Sequence, residues 1–290
     1  MGCRRRAQGR KWSAGGRARV TAKPSKPIIE AVSVVANDRI TEGVGLMVLR
    51  APKVAATVRP GQFVHLRLDT HSETILRRPF SVHRASGDHV ELLYQVLGAG
   101  TLHMAEKRPG DTSMDVVGPL GHGWVIPDGL RHALLVAGGL GAAPLGMLAE
   151  HLAGHGVAVS IAQGAPTATR LVARQLFKRV ARVVEVATDD GSAGERGLVT
   201  GPVARLLATE RFDVAYTCGP EAMQRVVAGM LAEAGVPCQV SLERLMACGI
   251  GACLSCVVTT RDGFKRACVD GPVFNAEEVL WDASQIPPKH

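Results

Sequence analysis

The sequence predicts a β plus α/β chain: an antiparallel β-barrel, then a unit built on a parallel sheet, then a cysteine-rich C-terminal segment. Three observations carry this. Apolar runs of strand length, broken by turn residues, succeed one another through residues 27–127; from residue 128 such runs alternate with helical ones; and four of the seven cysteines crowd between positions 248 and 268. The 290 residues leave room for two ordinary domains, since a domain takes about 100–200 residues.

In the first region the expected strands are residues 28–35, 45–49, 62–68, 80–83, 89–96 and 112–117. Arg59-Pro60-Gly61, Ser86-Gly87-Asp88 and Arg108-Pro109-Gly110-Asp111 break them apart, and strands at such regular spacing build a barrel or sandwich. Helical periodicity is nearly absent, apart from a turn at 102–106. The pattern changes at Pro127-Asp128-Gly129. Strands at 132–137, 157–163, 183–187 and 213–218 alternate with helices such as 142–153 and 221–234, which implies a parallel sheet with crossover helices over residues 128–237. In the last helix Met223, Val226, Val227 and Met230 share one face, and Gly235 is placed to end it. A strand at 238–242 then opens the cysteine-rich segment, residues 238–290, whose end from Asp270 reads as a short polar tail.

The formal net charge of +8 is unevenly spread: residues 1–26 hold nine Lys/Arg and no Asp/Glu, and the remainder has 25 basic and 26 acidic residues. The folded body therefore gives no electrostatic reason to expect nucleic acid as a partner. Residues 1–26 are read as a basic disordered tail, a composition also compatible with an organelle address. The longest uncharged stretch, 133–149, holds four glycines and a proline, which disfavours a membrane span. A cytoplasmic chain without stable membrane insertion is expected, and the cysteine spacing points to a reducing compartment.

The strongest chemical signal is Cys248-Gly-Ile-Gly-Ala-Cys253-Leu-Ser-Cys256, followed after eleven residues by Cys268. The first three cysteines have the C-x4-C-x2-C spacing of a plant-type [2Fe–2S] site, with a shorter interval to the fourth. Zinc also takes four ligands, but usually from C-x2-C pairs or Cys with His, and neither pattern occurs. A second signal, Val136-Ala-Gly138-Gly139-Leu-Gly141-Ala-Ala-Pro144, joins a strand to a helix through glycines that let a phosphate approach the backbone. Cys218-Gly219-Pro220 stands at the carboxyl end of another strand, the edge where ligands bind in open α/β sheets. In the β region Arg78-Pro79-Phe80-Ser81 begins a strand, and Leu93-Tyr94-Gln95 and Gly98-Ala-Gly100-Thr101 follow. An Arg fork suits a pyrophosphate, and Ser or backbone groups suit the edge of a flavin.

Together these segments resemble the ferredoxin reductase-like flavoprotein family, with its Arg-Pro-x-Ser, Gly-Gly-x-Gly-x-x-Pro and Cys-Gly-Pro motifs. The runs ERLMACGIGACLSCVV and ACVDGPVF narrow the resemblance to electron-transfer subunits of heteromeric bacterial dihydroorotate dehydrogenases, over residues 28–285. The resemblance implies FAD at Arg78, Pro79, Phe80, Ser81, Leu93, Tyr94, Gln95, Gly100 and Thr101. It also implies a nicotinamide nucleotide at Gly138, Gly139, Gly141, Cys218, Gly219 and Pro220, and a [2Fe–2S] cluster on Cys248, Cys253, Cys256 and Cys268. The implied partner is a catalytic subunit carrying FMN, in a two-plus-two heterotetramer that links dihydroorotate oxidation to NAD in pyrimidine biosynthesis. No catalytic residue is expected on this chain, since the cofactors carry the chemistry.

Two departures stand out. Gln95 replaces the Arg frequent in relatives, and His122 and Trp124 stand where Asn and Phe are usual; these two are expected to tolerate exchange at the domain junction. NAD and NADP stay open, because Gln163-Gly164-Ala165-Pro166 ends the second strand of the α/β unit without an acidic residue, and Arg170 lies nearby. Two other readings remain: the small subunit of an NADPH-dependent ferredoxin oxidoreductase, and a zinc-stabilised non-catalytic module.

Overall fold

The computed structural model describes residues 26–69 and 75–282. Apart from Lys26, the expected basic tail lies outside the described residues.

The first unit is an antiparallel seven-stranded sheet. In chain order it contains β1 (Ile28–Thr41), β2 (Val44–Arg50), β3 (Phe63–Arg67), β4 (Arg78–Ser81), β5 (Arg84–Ser86), β6 (His89–Gln95) and β7 (Met114–Leu120), in the spatial order β4-β3-β7-β1-β2-β6-β5. The sheet curls until β4 returns beside β6, around a core that includes Val32, Met47, Leu49, Leu66, Leu92 and Met114. Two helices interrupt it, where the sequence predicts only one turn. In α1 (Pro52–Ala55), proline sets the first turn and the buried Glu30 carboxylate accepts the N–H groups of Lys53 and Val54, both at 2.9 Å. That cap comes from β1, so no local pattern announces it. The predicted turn extends to α2 (Ala99–Glu106), eight residues opened by glycine rather than by a capping side chain's signature.

The second unit is a seven-stranded sheet: β8 (His132–Gly138), β9 (Ala158–Ala165), β10 (Val183–Thr188), β11 (Glu195–Arg196), β12 (Val214–Cys218), β13 (Cys238–Ser241) and the late strand β16 (Val273–Asn275). The helices between its strands are α3 (Ala143–Gly154), α4 (Arg174–Val180), α5 (Thr200–Thr209) and α6 (Glu221–Glu233). The order is β11-β10-β9-β8-β12-β13-β16, parallel except for the β13–β16 pair. A short antiparallel hairpin, β14 (Val257–Thr260) and β15 (Gly263–Arg266), stands apart. The polar-tail reading of the chain after Asp270 is thus corrected: Val273 and Phe274 are buried, and their strand closes the sheet edge. A three-residue strand is too short for periodicity to reveal.

The units share cores. Val44 and Leu93 from the barrel join Leu135, Tyr216 and Trp124, while Phe63 and Leu120 join Val240, Leu242, Cys256 and Cys268. Trp124 is 1% exposed, lies edge-on to Tyr216 at 5.5 Å, and donates Nε1–H to the Pro144 carbonyl at 3.0 Å. It fills the junction, so a small side chain there is costly, whereas the aromatic exchange with Phe keeps most of the packing. Trp124→Ala should cost about 3–5 kcal/mol. Trp124→Phe should cost only about 1 kcal/mol through the lost hydrogen bond, a contrast that denaturant titration resolves. Among the described residues no helix is long and apolar enough to cross a membrane.

Candidate functional site

Two glycine-bearing loops meet at the carboxyl edge of the parallel sheet. Gly138 ends β8 and a 3-10 turn, Gly139–Ala142, leads into α3. A Cβ on Gly141 would stand 2.2 Å from the Cys218 carbonyl oxygen and 2.6 Å from the Gly219 nitrogen. The two motifs predicted from sequence thus cross in contact, backbone on backbone, and only glycine permits it. Cys218 itself is buried, and burial raises its thiol well above the ordinary range. It packs; it is not poised as a nucleophile.

In the barrel, Arg78, Pro79, Phe80 and Ser81 form edge strand β4. A Cβ on Gly100 would fall 2.4 Å from Arg78 Nε, so the guanidinium lies across the start of α2. Thr101 Oγ1 orders that turn by accepting the N–H groups of Leu97 at 2.8 Å and Gly98 at 3.2 Å. Leu93, Tyr94 and Gln95 lie on β6, where side chains alternate. Leu93 joins the core shared between the units, and Tyr94 turns into the barrel, where its hydroxyl donates to Asn37 Oδ1 at 2.9 Å and its ring meets Phe80 edge-on at 6.5 Å. The structure brings Arg78, Gly100 and Thr101 together, while Tyr94 supports Phe80 from behind.

Just past this motif the chain is clamped to the α/β unit. His83 Nδ1–H donates to the Ala143 carbonyl at 3.0 Å, and a Cβ on Gly146 would strike its ring at 2.4 Å. Arg84 pairs with Glu150 of α3 at 2.8 Å and Glu91 of β6 at 3.0 Å. The flavin-type strand and the glycine-rich turn are thereby held facing one another. Burial lowers the His83 pKa from 6.5. The unfolded ring takes up a proton near 6.5 and the folded ring resists it, so stability falls as pH drops below 6.5. Thermal melts from pH 7.5 to 5 should show this decline, and His83→Gln should make it shallower, the remainder coming from two other histidines, His65 and His151, whose pKa values desolvation also lowers.

The cysteines sit on a loop after β13 and around the hairpin. The N–H groups of Ile250 and Cys253 point at Cys248 Sγ, at 3.5 and 3.4 Å, while Cys256 Sγ lies 3.2 Å from Cys268 Sγ. Gly249 and Gly251, with φ of +70° and +82°, allow the curl, as does Leu254 at φ +59°. Arg266 fastens the loop by donating to the Gly251 carbonyl at 3.2 Å and to Asp270 at 3.0 Å. Contacts with Ser255 hold the exposed Cys253 thiol down at about 6, whereas burial pushes Cys268 up to about 12. Among the described residues no three His, Cys, Asp or Glu side chains converge on a single-ion site. The thiols fall instead into two pairs, Cys248 with Cys253 and Cys256 with Cys268, with N–H donors aimed at sulfur. That donor set fits a cluster with two irons better than one tetrahedral zinc.

Three features escaped sequence reasoning. Loop 189–192 after β10 lies beside the end of β9, where Ala168 N–H donates to Ser192 Oγ at 2.8 Å; its Asp189 and Asp190 belong to the third strand of the unit, beyond the second-strand end considered above. The His83–Gly146 clamp joins residues far apart in sequence. His65, buried on β3 against the cysteine loop, belongs to no motif.

Comparison with known proteins agrees with this geometry. Residues 243–280 match the model of the iron–sulfur cluster binding domain of dihydroorotate dehydrogenase B. The chain is 40% identical over 238 residues, 80% of its length and 90% of the relative's, to the dihydroorotate dehydrogenase B (NAD(+)) electron transfer subunit of Desulforamulus reducens. It is 38% identical over 258 residues, 87% of its length and 98% of the relative's, to the subunit of that name from a Geobacillus species. A solved structure of NADH-dependent reduced ferredoxin-NADP oxidoreductase, described for flavin-based electron bifurcation, superposes with a TM-score of 0.79 at 36% identity, covering 87% of this chain and 90% of that one. With this identity sustained over most of its length, the chain belongs to the family of dihydroorotate dehydrogenase B electron transfer subunits.

Proposed function

We propose that this oxidoreductase subunit relays electrons between NAD and a separate FMN-bearing subunit that oxidises dihydroorotate to orotate, and that it takes no part in the pyrimidine chemistry. One observation carries the reading: three candidate sites share one body. They are the glycine crossing at Cys218, the Arg78–Gly100 contact and the cysteine loop, with β3 as the wall between the last two. When bound, FAD supplies the exchange between the electron pairs of a nicotinamide and the single electrons of a [2Fe–2S] cluster.

The chain's own residues bind and orient. Arg78 and the α2 N-terminus offer charge and donors to a pyrophosphate, with Thr101 ordering the turn. Phe80 and Ser81 present a ring and a hydroxyl on the same strand. Gly138, Gly139, Gly141, Gly219 and Pro220 admit the nucleotide to the sheet edge, and Cys248, Cys253, Cys256 and Cys268 hold the cluster. NAD rather than NADP is favoured by the relatives' names and by Asp189 and Asp190, since carboxylates at a strand's carboxyl end suit a ribose hydroxyl and repel a 2′-phosphate. Leu245, 88% exposed, with Ile250, Leu254 and Phe264 forms an apolar collar around the cysteines, suited to the partner chain of a two-plus-two assembly.

Purified anaerobically, the chain should carry FAD and about two iron and two acid-labile sulfide. Alone it should pass electrons from NADH to artificial acceptors without oxidising dihydroorotate; adding the FMN-bearing subunit should create that reaction. Stoichiometric zinc without sulfide would sink the reading. The likeness to the ferredoxin-NADP oxidoreductase structure supports a second one, a subunit serving ferredoxin. Rapid ferredoxin reduction, with no association with the dihydroorotate-oxidising subunit, would favour it.

A further inference from the structure

β3 has two faces. Val64 and Leu66 turn into the barrel core, while Phe63 and His65 turn toward the cysteine-rich segment. His65 is fully buried, and neither ring nitrogen meets a hydrogen-bond partner of good geometry. Buried polar atoms in folded proteins are nearly always satisfied, so two such atoms on one ring call for a reason.

The surroundings supply one. A Cβ on Gly249 would stand 2.7 Å from His65 Nδ1 and 3.2 Å from its Cγ and Cε1, so the ring lies against the loop where only glycine fits. A backbone group of Cys248 lies within reach of the ring. Across the strand, His65 pairs with Pro79 of the flavin-type motif, and Arg77 Nη1 donates to the His65 carbonyl at 3.4 Å. The imidazole thus stands between the strand that carries Arg78 and the loop that carries Cys248.

We propose that His65 is a positioning residue for the cluster: its Nδ1–H seats the peptide joining Cys248 to Gly249, and thereby keeps the N–H groups of Ile250 and Cys253 aimed at Cys248 Sγ. The inference rests on the reading of the four cysteines as cluster ligands. Donors directed at cluster sulfurs stabilise the reduced, more negative state and raise the potential. By holding the loop against β3, His65 sets how well those donors align.

The test uses the full chain with His65→Leu, which keeps bulk without a donor, and His65→Asn, whose Nδ2 reproduces Nδ1. Iron, sulfide and FAD are assayed, and the cluster potential is read by EPR-monitored redox titration. The Leu variant should retain all three cofactor components, with reduction of its cluster disfavoured about tenfold, a fall of about 59 mV for one electron. The Asn variant should return to the wild-type potential. An unchanged potential in a fully loaded Leu variant overturns the proposal. If the Leu variant loses iron while keeping FAD, a loaded Asn variant with wild-type potential supports the donor role, and iron loss in both overturns it. Absence of a [2Fe–2S] centre from the wild-type chain would instead overturn the ligand assignment itself.

Discussion

Cys248→Ser should lower NAD-linked dihydroorotate oxidation by the assembled enzyme at least about a hundredfold, since even changes outside the ligand sphere cost 10–100-fold at metal sites. NADH-driven reduction of an artificial acceptor by the same variant should stay within about threefold of wild type, because the flavin contacts lie elsewhere. The geometry separates the two activities. Cys248 sits on a loop beyond β3, whereas Arg78, Phe80, Ser81 and Gly100 lie on β4 and α2 of the barrel. Serine keeps the size of the side chain but offers iron a poor ligand, so cluster occupancy falls while the barrel core is untouched. Iron and sulfide analysis must accompany the kinetics. Full coupling in a variant shown to lack its cluster would refute the electron route.

Gly141→Ala should raise the KM for NADH at least tenfold, roughly, and cost about 3 kcal/mol of stability, the upper part of the range for overpacking. The added methyl meets the Cys218 carbonyl oxygen at 2.2 Å and the carbonyl carbon at 2.4 Å. Both are backbone atoms of a strand paired on either side with β8 and β13, so neither can move away cheaply. The strain must open the crossing of the two loops where the nucleotide is expected. Gly154→Ala makes the matching control, since its Cβ meets nothing within 4 Å. A folded Gly141→Ala protein with unchanged KM would remove the crossing from the nucleotide site.

What the sequence discloses follows the range over which each signal acts. The four cysteines, the two glycine motifs and Arg-Pro-Phe-Ser are local patterns, and the structure sets them on turns and strands. The strand and helix alternation places β8, β9, β10, β12 and β13 within a few residues, while the two-residue β11 is too short to leave a pattern. Features made by distant pairs stay hidden. Glu30 caps α1 from another strand, His83 seats on Gly146, and His65 meets Gly249 across 184 positions of chain. Trp124 reads only as an unusual aromatic, and its contacts with Tyr216 and Pro144 come from distant parts of the chain. The acidic loop after β10 was missed for a topological reason: β10 is the outer neighbour of β9, and its loop folds back over the end of that strand.

The pairing of β13 with β16 makes the cysteine segment an excursion from the parallel sheet, with both ends tied into one ladder. The chain leaves at Leu242, and its return is fixed where the Leu242 N–H donates to the Pro272 carbonyl at 2.9 Å. Because the sheet closes this loop, cluster assembly would have only local ordering to achieve. Metal-free protein should consequently be a folded recipient for iron delivery, with amide exchange quickened between residues 244 and 271 and slow protection kept in β8, β12 and β13. Damage to the cluster by oxygen would be repaired in place, without the barrel or the nucleotide unit unfolding.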